Sequence, residues 1–378
     1  MRLVTRTVYL DWNATTPLAD EAREAMLAAM QDGWANPASV HGAGRAARAH
    51  VEDARRAVGD LLGFDPRDVI FTSGGTEANN LVLQSLFRDG AGGLVTSRLE
   101  HPSVVRTAEA LAATGVRVAW VIPTEAGRIE PGAVELALRD LGDSARLVAL
   151  QAVNHETGVI QPVLEVADLL KRWSGARVLL HCDAVQAAGR LPASTWAGAD
   201  TVSVASHKLR GPKGVGALAT RLGVRVHPVL RGGEQEKGVR PGTQDPVGLA
   251  GFGAAATRAR SGPERYAALR SLRDELEASL VAAGALRNGG EPRAPHVTNL
   301  SFSGWRGPEL CAALDLDGVH VSSGSACSAG TAEPSPVITA MLGKARAASA
   351  VRVSLGETSN AADMSAARQT FLRILDRT

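Results

Sequence analysis

The sequence predicts an α/β fold with a mostly parallel sheet covered by helices on both faces, and three observations carry that expectation. Apolar, strand-like runs alternate with amphipathic helical runs through the first two-thirds of the chain. A length of 378 residues allows two lobes and a substantial core. Glycine-, histidine- and lysine-bearing turns follow several of the strand-like runs, where open parallel sheets bind their ligands.

Taken in order, residues 68–72 read as a strand and 76–87 as the helix that follows, with two glycines giving the tight turn between them. Residues 94–96 and 116–122 read as strands flanking a helix over 102–113, which Pro102 starts well because a first-turn N–H has no helical partner anyway. A strand over 146–153, a helix over 163–173 and strands over 177–182, 201–205 and 215–219 complete the large lobe. Residues 231–245 are rich in Gly and charge and read as an ordered loop. A long helical region over 250–283 is interrupted near Ser261-Gly262-Pro263. Strands over 297–302, 319–322 and 351–355 then alternate with helices over 308–314, 335–342 and 361–375, the pattern of a smaller α+β lobe. The division expected is residues 16–255 for the large lobe, with 1–15 and 256–378 forming the small one. Neither an internal repeat nor a low-complexity tail is visible.

Composition narrows the function classes. The chain is 45% hydrophobic and 21% charged, ordinary for a globular protein in water, and its formal net charge is only +2. Without a basic run, the sequence points to neither direct nucleic-acid binding nor a membrane surface. The N-terminus carries no apolar run of a signal peptide, and no stretch approaches the ~20 apolar residues of a membrane helix. Three scattered cysteines (Cys182, Cys311, Cys327) suit neither a disulfide framework nor a metal site, so a cytoplasmic protein without metal is expected.

The chemistry concentrates in a few segments. Ser203-Val204-Ala205-Ser206-His207-Lys208 sets a lysine after an apolar strand and before the glycine-rich Gly211-Pro212-Lys213-Gly214. Only five lysines stand against 36 arginines, so one in so apolar a setting is no routine surface charge. A site of low polarity favours the neutral amine, the form that makes a Schiff base. Phe71-Thr72-Ser73-Gly74-Gly75-Thr76-Glu77 ends a strand and opens a helix, so its free N–H groups suit an anion such as phosphate. The alternative is a plain glycine turn with Thr76 as N-cap. His181-Cys182-Asp183-Ala184-Val185-Gln186 puts Asp183 at the end of a strand, to hold a protonated ring nitrogen or else to cap a helix. His101, before Pro102, and the Asn154-His155-Glu156 segment follow two further strands, and each could serve a ligand or simply its loop. Cys182 and Cys311 have large apolar neighbours. Cys327 lies instead among small residues, in Ser322-Ser323-Gly324-Ser325-Ala326-Cys327-Ser328, and is the cysteine to suspect of reactivity.

Together and in this order, these segments resemble the group I, NifS- and IscS-like cysteine desulfurases of the class V aminotransferase superfamily, which carry pyridoxal 5'-phosphate on a fold type I scaffold. The resemblance begins at Tyr9-Leu10-Asp11-Trp12-Asn13-Ala14-Thr15-Thr16-Pro17 and Asn36-Pro37-Ala38-Ser39-Val40-His41. It runs on through Arg240-Pro241-Gly242-Thr243 to Val351-Arg352-Val353-Ser354-Leu355-Gly356, nearly the whole chain.

The resemblance implies a seven-stranded sheet in the large lobe and a set of roles. Lys208 would be the Schiff-base lysine and remove the substrate α-proton. Asp183 would pair with the pyridinium nitrogen, Gln186 would bond the phenolic oxygen, and His101 would stack on the ring, move protons and help ionise Cys327. Gly75, Thr76 and His207 would hold the phosphate, with Ser206 as a further candidate because Ala205 replaces the family's usual serine. Thr243 would reach the phosphate of a neighbouring subunit, implying a homodimer. Asn154 and Arg352 would bind the carboxylate of L-cysteine, an arginine fork matching it bidentately. Cys327 would take the sulfur as a persulfide and pass it to an acceptor protein. The DNA-phosphorothioation (DndA-like) branch, tRNA thiolation and iron–sulfur assembly are the pathways implied. A selenocysteine lyase or another class V enzyme is the alternative.

Overall fold

The computed structural model describes residues 7–324 and 333–376. The chain opens with the short strand β1 (Val8–Tyr9) and the helices α1 (Asp20–Asp32) and α2 (Gly42–Leu62). In α2 the buried positions Ala47, Val51, Ala54, Val58 and Leu61 recur every three or four residues, which lays one apolar stripe along the helix. The His41 ring caps its first turn by accepting from Gly44 N–H, and Gly63 ends it in a left-handed conformation at φ 75°.

Next come β2 (Val69–Thr72), α3 (Gly75–Leu86), β3 (Gly93–Ser97), α4 (Pro102–Ala113), β4 (Arg117–Val121), α5 (Pro131–Leu141), β5 (Ala145–Gln151), α6 (Val163–Arg172), β6 (Leu179–Asp183), β7 (Thr201–Ala205) and β8 (Gly216–Thr220). The strands form one seven-stranded sheet in the order β2-β8-β7-β6-β5-β3-β4. The five strands from β7 to β4 run parallel, while β8 is antiparallel to both of its neighbours.

Successive side chains of the inner strands feed opposite layers, as the strand period of two requires. Leu94 and Leu147 join the α3–α4 side with Val82 and Val104. Val95 and Val148 join the other side with Val58, Val166 and Phe252. Helix α7 (Pro246–Ala259) closes that second layer, with Asp245 capping it through Val247 N–H. It lies so close to α2 that a Cβ on Gly253 would come within 2.7 Å of the Ala54 Cα. Only glycine permits that approach.

The chain continues with α8 (Gly262–Ala267), α9 (Arg270–Ala282), β9 (Leu286–Arg287), β10 (Val297–Ser301), α10 (Gly307–Leu316), β11 (Val319–His320), α11 (Pro336–Leu342), α12 (Lys344–Ala348), β12 (Ala350–Ser354) and α13 (Ala361–Leu375). Strands β12-β10-β9 make an antiparallel sheet, and β1 pairs in parallel with β11. A second apolar core gathers Val8 and Leu10 with Tyr266, Leu276, Leu300, Val351 and Phe371, so the N-terminal strand belongs physically with the C-terminal third. The strand expected over 319–322 is shorter than its apolar pattern, with Ser322 reaching β12 only through an isolated bridge to Arg352. Among the described residues no helix is long and apolar enough to cross a membrane.

Candidate active site

The carboxyl ends of the parallel strands meet at one cavity of about 180 Å³, lined by Gly75, Thr76, His101, Asp183, Gln186, His207, Lys208 and Arg352, with Asn13 and His155. Topology explains the convergence. Asp183 is the last residue of β6, Lys208 ends a single 3₁₀ turn directly after β7, and Gly75 and His101 begin helices that follow β2 and β3.

The glycine turn is shaped for an anion. Gly74, not Thr76, is the N-cap of α3, and having no side chain it leaves the first-turn N–H groups uncapped. A Cβ on Gly75 would meet Val185 Cγ2 at 2.7 Å, so this wall of the cavity also requires glycine. Glu77 fastens the turn by accepting from Ser73 N–H at 2.6 Å and pairing with Arg240 at 2.9 Å. Arg240 belongs to the 231–245 loop, which is ordered around one buried carboxylate. Glu236 accepts two bonds from Arg55 at 2.8 and 2.9 Å and one from Phe71 N–H at 2.9 Å.

Asp183 is buried and held on both oxygens, by Asn79 Nδ2 at 2.8 Å and by Val185 N–H at 3.0 Å. Asn79, one turn into α3, is oriented in turn by His181 and Ser203, which both meet its carbonyl oxygen, at 2.9 and 2.6 Å. Burial drives His181 down to about 4, so the ring at Asn79 is neutral near pH 7. Lys208 Nζ donates to the carbonyls of Ala14, at 2.8 Å, and Asn13. Burial and the Lys208 charge lower His207 to about 3, and its Nδ1 lies 3.1 Å from Thr15 Oγ1.

His101 caps α4: its Nδ1 accepts from Ser103 N–H at 3.1 Å, which puts the proton of the neutral ring on Nε2. Burial lowers its pKa, opposed by Asp183 and helped by Lys208. The His155 ring stands edge-on to it with centroids 5.5 Å apart. Burial and the cations around it hold His155 well below the usual histidine range, and its Nδ1 has no hydrogen-bond partner among the described residues. Arg352, 2% exposed, gives its fork to Asp11 Oδ1 at 2.6 Å and to the His155 carbonyl at 3.1 Å, leaving Nε without a hydrogen-bond partner among the described residues.

Not every residue expected at this site lines the cavity. Asn154 does not line the cavity. Its Oδ1 accepts from Glu156 N–H, Thr157 N–H and Thr157 Oγ1 at 3.0, 2.9 and 3.0 Å, and its Nδ2 donates to the Leu99 carbonyl at 3.0 Å. The amide is spent on the turn after β5, and the next residue, His155, faces the cavity instead. Ser206 also points away: its buried Oγ has no hydrogen-bond partner among the described residues and sits where a Cβ on Gly211 would come within 2.1 Å. Ala205 lines the cavity in its place, so a methyl stands where the resemblance implies a hydroxyl. Thr243 is exposed on the ordered loop and does not line its own chain's cavity. Cys327 lies outside the described residues. Of the other cysteines, burial pushes the Cys182 thiol far up and Cys311 to about 12, so neither is a thiolate at neutral pH.

Asn13, Asn79 and Gln151 also line the cavity, without a role assigned to them from sequence, and of the Asn154-His155-Glu156 segment it is His155 that does so. Asn79 was within reach of a helical reading, because it follows Thr76 by three residues and so shares its face.

The residues present fit pyridoxal phosphate. They offer an uncapped helix start beside a glycine wall, a buried carboxylate for a ring nitrogen, an amide at Gln186, a histidine ring and a lysine amine around one cavity. Comparison with known proteins agrees. The aminotransferase class-V family profile matches residues 8–366. An IscS-like cysteine desulfurase of Mycobacterium tuberculosis is 39% identical, covering 96% of this chain and 95% of its own length. The solved structure of a NifS-like protein superposes with a TM-score of 0.91 at 31% identity, over 99% of this chain and 100% of that one. That of DndA from Streptomyces lividans superposes at 0.76 with 33% identity, over 90% of this chain and 97% of that one. The chain therefore belongs to the class-V aminotransferases, among their NifS- and IscS-like members.

Proposed function

We propose that this protein is a pyridoxal-phosphate-dependent cysteine desulfurase that takes sulfur from L-cysteine, releases L-alanine and leaves a persulfide on Cys327. The observation that carries the reading is the convergence of Lys208, Asp183, His101 and Arg352 on one cavity at the carboxyl ends of the sheet. When bound, pyridoxal phosphate supplies an electron sink for the charge left by loss of the substrate α-proton. Gly75, Thr76 and His207 hold its phosphate, Asp183 its ring nitrogen and Gln186 its phenolic oxygen. Lys208 anchors it and then takes the α-proton. His101 covers the ring and, neutral with its proton on Nε2, is placed to exchange protons with the reacting groups.

Arg352 holds the substrate carboxylate in a two-pronged grip. To do so it must share or exchange its contact with Asp11. The Cys327 thiolate attacks the substrate sulfur, the carbon–sulfur bond breaks, and a proton completes alanine, so no outside oxidant or reductant is needed. The sulfur then passes to an acceptor protein. The exposed position of Thr243 on a loop fastened to the phosphate turn supports a homodimer in which that residue serves the neighbouring subunit. The division into a lobe of residues 16–255 and one of 1–15 with 256–378 is part of the same proposal.

The test is alanine production from L-cysteine by protein reconstituted with pyridoxal phosphate, compared with the Lys208→Ala variant. Production by the wild type alone supports the reading. Cofactor uptake without alanine contradicts it and turns attention to transamination or selenocysteine cleavage.

A further inference from the structure

Behind the cavity lies an arginine that none of the proposed roles uses. Arg190 is 1% exposed, and among the described residues no carboxylate lies within ion-pair distance of it. Its guanidinium instead donates to neutral acceptors: Asn13 Oδ1 at 3.0 Å, Gln186 Oε1, and the carbonyls of Trp12 and Lys208, both at 3.3 Å. The Tyr266 ring lies 5.6 Å from it, and Nε has no hydrogen-bond partner among the described residues. Burying a charge without a counter-charge is costly, so its place here calls for an explanation.

Two consequences follow from its position. A guanidinium only donates, so the Gln186 oxygen must face Arg190 and the amide N–H groups must face the other way. One of them donates to the Asn13 carbonyl at 3.0 Å, and the second is left for the cavity that Gln186 lines. The same cation stands against the backbone of Lys208, where its field disfavours a second positive charge. That field is felt nearby, since Arg190 contributes to the lowered proton affinity of His207, after burial and Lys208.

We propose that Arg190 is a positioning residue, which turns the Gln186 amide N–H toward the cofactor's phenolic oxygen and lowers the proton affinity of the lysine–cofactor unit. The inference rests on the proposed cofactor reading. Whichever atom of that unit carries the proton, a fixed cation beside it favours release.

The experiment is a pH titration of the absorption of the bound cofactor, without substrate, in the wild type, Arg190→Met, Arg190→Gln and Arg190→Lys. Losing the charge raises the midpoint by about one pH unit, roughly tenfold in proton affinity, while Arg190→Lys stays near the wild type. Arg190→Gln keeps a hydrogen-bonding head in the pocket, so it carries the test if Arg190→Met does not fold. Neutral variants that titrate with the wild-type midpoint overturn the proposal. So does an Arg190→Lys variant shifted as far as Arg190→Met, because only packing would then be at stake. A wild type that takes up no pyridoxal phosphate at all sinks the cofactor reading, and the inference with it, and is thereby told apart from a failure of Arg190 alone.

Discussion

Replacing Asn154 with alanine separates a structural asparagine from a substrate-binding one. The side chain is 1% exposed and makes four hydrogen bonds within its own loop and to Leu99. Truncation leaves some of these partners supplied. The Leu99 carbonyl keeps its bond from Gln151 Nε2 at 2.5 Å, and the Thr157 hydroxyl is free to rotate. The N–H groups of Glu156 and Thr157 lose their acceptor inside the protein. At ~1–3 kcal/mol for each stranded buried donor, Asn154→Ala should cost about 3 kcal/mol. The assay is paired: urea denaturation of the reconstituted enzyme, and steady-state kinetics with L-cysteine under conditions where the variant is folded. A lower denaturation midpoint with KM changed less than about threefold is expected. Near-wild-type stability with KM raised ten- to a hundredfold would instead make Asn154 a carboxylate ligand, since a charge-assisted bond is worth about 1.5–3 kcal/mol.

Further expectations concern burial and close approach. Glu100 is 2% exposed, and burial raises its pKa well above the usual carboxylate value, with Asp183 adding to the rise and the bond from Gln151 N–H opposing it. The folded state therefore holds a proton that the unfolded chain releases. Its stabilising effect is complete at low pH and is lost as pH rises from the ordinary carboxylate range through the raised folded value. Glu100→Gln, which stays neutral, should gain melting temperature over the wild type at pH 8 and little at pH 5; equal gains at both would count against a protonated Glu100. Gly75→Ala should fold but hold pyridoxal phosphate at least tenfold more weakly, measured by equilibrium dialysis, because its methyl would fall 2.7 Å from Val185 Cγ2. Unchanged affinity would show that this wall yields. Glu236→Gln should weaken the bidentate pair with Arg55 and loosen the 231–245 loop, seen as faster amide exchange there at a cost of about 1–3 kcal/mol. Exchange at the wild-type rate would locate the loop's anchor elsewhere.

Much of the architecture was readable because burial on both sides of a sheet writes a strong apolar signal. The strand over 201–205 and the helices over 102–113 and 361–375 have the bounds their patterns suggested. The break near Ser261-Gly262-Pro263 does divide α7 from α8. Helices α1, α2, α5 and α12 are not marked by the sequence pattern. In α2 the stripe is largely alanine and is interleaved with arginines, a faint contrast against its surroundings. The antiparallel insertion of β8 is a matter of long-range pairing, which no local pattern encodes.

At the site, residue types that mark strand ends, such as Asp183 and Lys208, were legible from their place after apolar runs. The direction of a side chain within an irregular turn was not. Asn154 and His155 differ by one position, and only the fold decides which of them is consumed by the turn and which faces the cavity. Arg190 was invisible for a different reason. Its significance lies in having no acidic partner among the described residues, and only tertiary packing determines that.

If sulfur leaves L-cysteine for Cys327, peptide mass spectrometry after reaction without added reductant will find it there. The peptide containing Cys327 should gain one sulfur atom in the wild type, while Cys327→Ser carries none and forms no alanine. Added sulfur on the Cys182 or Cys311 peptide, or alanine and persulfide formation that survive in Cys327→Ser, would contradict it.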